Sequence, residues 1–141
     1  MRIYTLGYSG WRIEDVEAAL ERLDAVLVDI RWMARSRIPT WAGGRMAQRL
    51  GVRYAAVRDL GNTNYKGTFE QIRILDFEAG LAAVRKITAG GQSVILMCAC
   101  RDLDTCHRKG VAERLASALG VEVEHLNTPD PWERVQEPAL F

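Results

Sequence analysis

The chain has 141 residues, 48% hydrophobic and 26% charged, with a formal net charge of +1. That is the size of one ordinary domain and the composition of a soluble globular protein, long enough to bury about two thirds of its unfolded surface without covalent staples. No apolar run approaches the ~20 residues that span a bilayer.

In chain order, "IYTL" predicts a short strand, Ile3 to Leu6, stopped at Gly7. "IEDVEAALERL" places Ile13, Val16, Leu20 and Leu23 on one helical face, with Glu14 and Asp15 in the first turn, where the helix dipole favours acids. "AVLVDI", Ala25 to Ile30, is a continuous apolar run. That is the pattern of a strand covered on both faces, hence of a parallel sheet. "GGRMAQRLG" predicts a short helix ended by Gly51, and "VRYAAV" a third strand. "GNTNYKG", Gly61 to Gly67, reads as a loop. "FEAGLAAVRKITAGG" is a second long helix with Gly90 and Gly91 as its stop. "SVILMC" is a fourth buried strand. "CHRKGVAERLASALG" is a third long helix, with Thr105 or Asp104 as its N-cap. "VEVEHL" alternates and reads as an edge strand.

Strand and helix alternate throughout. The expected fold is therefore α/β: a three-layer α/β/α sandwich around a mostly parallel sheet of about five strands. Residues 1–126 form the single domain and 127–141, with three prolines, an extended tail. The N-terminus "MRIYTLGYSGW" lacks a long apolar core, so a signal peptide is not expected and the expected location is the cytoplasm. Three cysteines in a reducing compartment argue against structural disulfides. No P-loop, GxGxxG or HExxH occurs, and no cofactor is expected.

Two stretches carry chemical signals. From Arg31 to Arg58 there are seven arginines and no acid. Between Cys98 and His107 lie three cysteines and a histidine. For a metal, the spacing is poor: Cys106 and His107 are adjacent on a helix and point about 100° apart. No metal is expected. As a thiol site the pattern is better. A cysteine in the first turn of a helix lies near unpaired N–H groups and the positive dipole end, which lower its pKa. Cys106 is the expected nucleophile on this ground. Cys100, at a strand end before a loop and a helix, has a similar setting. Cys98, after "VILM", reads as core. His125 reads as a satisfied strand residue.

The ordered set "IYTLGYS", "LVDIR" with "SRIP", "GVRYAAVRDLG", "VILMCA", "CHR" and "VEVEHL" resembles the domain of unknown function 488 family over about residues 3–126. The resemblance implies an α/β domain but no reaction. Where the family commonly has His, Gly and an acid, this chain has Tyr8, Asn62 and Cys100.

In open α/β sheets, ligands bind outside the carboxyl ends of the strands. The expected site gathers there. Arg31, Arg37 and Arg108 would clamp a phosphate-bearing or nucleotide ligand. Gly7 and Gly61 would allow close backbone approach. Tyr8, Ser9 and Cys100 would line the site, and Asp29, Cys106 and His107 would supply the chemistry. Two alternatives stand beside this. One is nucleic-acid binding by the basic segment 31–58 with Trp32, Trp41 and Tyr54, against which stands a pI of only 7.7. The other is a non-catalytic partner-binding module using Trp32, Trp41 and the tail.

Overall fold

A computed structural model describes residues 1–64, 72–100, 103 and 106–129. Arg101, the Asp104 and Thr105 caps, the end of the 61–67 loop and the tail from 130 lie outside the described residues.

Five strands form one all-parallel sheet: β1 (Ile3–Gly7), β2 (Ala25–Asp29), β3 (Tyr54–Ala56), β4 (Ser93–Cys98) and β5 (Val123–His125). Their order is β3-β2-β4-β1-β5. The three central strands are buried at every position, which is why their sequences read as continuous apolar runs rather than alternating ones. The edge strands β3 and β5 are only partly covered.

Helices α1 (Ile13–Leu23) and α2 (Gly43–Leu50) cover one face, and α3 (Phe77–Ile87) and α4 (His107–Leu119) the other. The pleat divides each strand accordingly. Leu6, Leu27, Ile95 and Met97 pack with Val16, Leu20 and Met46. Ile3, Val28, Leu96 and Cys98 pack with Leu81, Val84, Val111 and Leu115.

Local signals explain the boundaries. Asp15 reaches back to the Arg12 backbone N–H at 2.9 Å and closes the start of α1. Asp76 caps α3 by accepting from the Ala79 N–H at 3.0 Å. Gly120 ends α4 in the left-handed conformation, φ 67°. The helix α3 stops before the expected Gly90-Gly91 pair, with Thr88 as its C-cap: the Thr88 N–H and hydroxyl both donate to the Val84 carbonyl, at 2.9 and 2.8 Å.

The topology positions the site. The chain moves from β1 to β2 and β3 over one face, then back to β4 and β5 over the other. The loop after β4 therefore leaves on the opposite face from the loops after its neighbours β1 and β2. This is a topological switch point, where a crevice opens at the carboxyl edge. The last residues there are paired, Gly7 opposite Cys98 and Asp29 opposite Met97.

Candidate functional site: a thiol cluster beside a buried arginine

The strand β4 ends at Cys98, Cys100 follows in its exit loop, and Cys106 is the N-cap of α4. Their three sulfurs lie within 4.8 Å of one another. Cys98 Sγ and Cys106 Sγ are 2.7 Å apart and both residues are buried; Cys100 is exposed. All three are free thiols. Cys98, whose sequence setting reads as core, is thus both core and part of the cluster. An apolar run cannot reveal that its last side chain meets another thiol across a loop.

Hydrogen bonding from Cys106, then Cys98, holds the Cys100 thiol down at about 2, with the Arg108 charge adding to the effect. The same bond to Cys100 pushes Cys106 up to about 11, and burial adds to it. Cys98 is raised well above its ordinary value by its bonds to Cys100 and Cys106 and by burial. Of the three, Cys100 is the thiol shifted toward ionisation. Cys106, expected in the first turn of the helix, is instead its N-cap and only 3% exposed.

Arg108 enters from the first turn of α4 and is only 4% exposed. Its Nη1 donates to the Cys100 carbonyl at 2.6 Å and to Cys98 Sγ at 3.3 Å. Among the described residues its Nε is buried without a hydrogen-bond partner and no carboxylate pairs with it. A buried cation without a matching anion is costly. Arg108 also lines a cavity of about 320 Å³, together with Gly7, Trp11, His125 and Thr128.

His107 is oriented by the neighbouring loop. Its Nε2 lies 3.0 Å from the Ile30 carbonyl, which can only accept, so the proton is on Nε2. Nδ1 is left as an acceptor 4.0 Å from Cys106 Sγ. Burial lowers the His107 pKa, partly offset by that carbonyl.

The remaining expected residues divide in two. Gly7 is at the site, but its missing side chain serves the protein itself: a Cβ there would strike the Cys100 carbonyl and lie 2.8 Å from Arg108 Nη1. Gly61 has the same internal role, since a Cβ would lie 2.6 Å from Trp32 Cα. Asp29 is 1% exposed and fully engaged. Arg31 donates to it three times, backbone N–H and Nε to Oδ1 at 3.1 and 2.8 Å and Nη2 to Oδ2 at 2.6 Å. The Tyr54 hydroxyl donates to Oδ2 at 2.6 Å. Burial and this bond raise the Tyr54 pKa. The carboxylate therefore orients Arg31 and has no free face for a proton-transfer role. Arg31 in turn lies over the Tyr8 ring at 5.5 Å, and that ring stacks on Trp41 at 4.7 Å. Tyr8 donates to Ser36 Oγ at 3.4 Å. This second group is a packed ion pair under an aromatic stack. Ser9 and Arg37 are exposed beside these elements.

His125, Asn127 and Thr128 are cavity-lining residues that sequence reasoning missed. His125 lies in a strand, with Thr5 Oγ1 on the neighbouring β1 at 2.6 Å from its Nδ1. Its place beside Arg108 depends on β5 pairing with β1, which no local signal announces.

The sequence model of the family described as Domain of unknown function DUF488 matches residues 12–115, and the chain belongs to that family. No curated protein and no solved structure matches the chain significantly. No helix among the described residues is long and apolar enough to cross a membrane.

Proposed function

We propose that the protein binds an anionic, phosphate-bearing small molecule in the Arg108 cavity, with the Cys100 thiol of the adjoining β4 exit loop as the candidate nucleophile. One observation carries this reading. Arg108 is a buried guanidinium that lines an open cavity and lacks a carboxylate partner among the described residues. An anion entering beside it would complete its charge balance, and a guanidinium suits phosphate oxygens. Thr128 and His125 offer further polar contacts on the same wall. The exposed Cys100, whose carbonyl is held by Arg108, supplies a nucleophile at neutral pH.

The basic segment supports nucleic-acid binding less well. Arg31 is tied to Asp29, Arg49 to Glu17, and Arg53 to the Leu20 and Ala25 carbonyls. Trp41 is 5% exposed, so it is available neither to bases nor to a partner chain.

The test is a thermal-shift screen with inorganic phosphate, pyrophosphate and nucleotides. The wild type is expected to be stabilised by at least one of them. Thr128→Glu, a half-exposed position that puts a negative charge at the cavity wall, is expected to lose the shift while folding normally. No stabilisation of the wild type, or equal stabilisation of Thr128→Glu, would remove the reading.

A further inference from the structure

We propose that Cys98, Cys100 and Cys106 form a three-sulfur site for a thiophilic divalent cation, zinc being the probe of choice. The inference shares Arg108 with the anion site above but takes its ligands from the sulfurs alone, and the closing experiment separates the two.

Three observations converge. The first is geometric. The ligands come from a strand end, its exit loop and the cap of the following helix, and their sulfurs already lie within 4.8 Å of one another. With Zn–S bonds of about 2.3 Å, tetrahedral sulfurs are about 3.8 Å apart. The Cys98–Cys106 separation of 2.7 Å would open by about 1 Å, and both side chains turn about single bonds to do so. The adjacency of Cys106 and His107 in the chain, which argues against a four-ligand site, does not apply to three sulfurs.

The second observation is charge. Three thiolates around a divalent cation carry a net charge of minus one. Beside them lies one buried guanidinium, Arg108, without a carboxylate partner among the described residues. The cluster and the arginine are therefore electrically complementary when the cation is bound. With the cation absent, deprotonating all three thiols would leave two excess negative charges.

The third is the outer shell. Ligand sulfurs of metal sites are held by N–H donors, and Arg108 Nη1 already donates to Cys98 Sγ at 3.3 Å. Two of the three ligands are buried and the third is exposed. The fourth coordination position accordingly opens on the Cys100 side, where water or a small ligand has access. On binding, each thiol proton leaves to buffer as its sulfur bonds the metal, with no change in oxidation state.

Titrating the reduced full-length protein with Co(II), then displacing it with Zn(II), tests the proposal. The expected result is a sulfur-to-cobalt charge-transfer band that saturates at a single ion per chain and is bleached by zinc. Cys100→Ser, an exposed position, is expected to fold normally and to weaken binding about tenfold or more. No charge-transfer band in the wild type, or a band unchanged in Cys100→Ser, would overturn it. The phosphate-dependent thermal shift is read on the same samples without metal. A lost cobalt band with a retained phosphate shift removes only the metal site. A retained band with no phosphate shift removes only the anion reading.

Discussion

The distribution of protons over three sulfurs decides the chemistry of this edge. A free thiol loses reactivity below its pKa because only the thiolate attacks. With Cys100 held down at about 2 by its neighbours' hydrogen bonds, it stays ionised throughout the neutral range. Iodoacetamide should therefore modify Cys100 first, at a rate nearly constant from pH 8 to pH 6, whereas an ordinary thiol slows about tenfold per unit there. Mass spectrometry of the labelled peptides checks this. Faster labelling of Cys106 or Cys98, or an ordinary pH slope, would contradict it. His107 gives a second prediction. Burial lowers its pKa, so the unfolded chain takes up a proton near pH 6.5 while the folded one does so only at lower pH. Between those values protonation favours the unfolded chain, and stability falls as pH drops below about 6.5. Urea midpoints at pH 7.5 and 5.5 should differ more for the wild type than for His107→Gln.

At the scale of elements, the switch point between β1, β2 and β4 is held by close backbone contacts. Tyr8 N–H donates to the Cys98 carbonyl at 3.0 Å, and Ile30 N–H to the Met97 carbonyl at 3.1 Å. Gly7→Ala must displace the Cys100 carbonyl and Arg108 together. It should cost about 3 kcal/mol in urea unfolding, at the upper end of overpacking effects, and abolish the rapid labelling of Cys100. An alanine tolerated with under about 0.5 kcal/mol of loss would mean this contact is looser than described. Next to β2, Asp29→Ala leaves Arg31 buried and uncompensated, which should cost about 3–5 kcal/mol. Adding Arg31→Met should recover part of that loss, because the stranded charge goes with it. Strict additivity in the double variant would contradict a direct pairing of these two residues.

At the scale of the whole molecule, the architecture was legible because its determinants are local. The burial of "AVLVDI" and "SVILMC" on both faces leaves no alternation, and helix periods separate them, so a parallel sheet followed directly. The site was legible only in part. Placing Gly7, Arg31, Cys98, Cys100 and Cys106 at one edge needed only the rule for ligand sites in open sheets. Ranking the thiols needed the three-dimensional cluster: Cys106 is the helix cap rather than a first-turn residue, and the thiol whose pKa is lowered is Cys100. Arg31 and Asp29 read as ligand groups because a strand-end charge pair looks the same in sequence whether it faces a ligand or the Tyr54 hydroxyl. The cavity wall from β5 was invisible because β5 is placed by pairing with β1, at the far end of the sequence: Thr5 and His125 meet across 120 residues.

The most direct measurement is a two-dimensional amide NMR titration of the reduced protein with inorganic phosphate and pyrophosphate. Saturable shifts should concentrate at Gly7, Arg108, His125 and Thr128, the walls of one cavity, and vanish in Thr128→Glu. Absence of saturable change at those amides, or change confined to the basic segment from Arg35 to Arg58, would contradict an anion site built on Arg108.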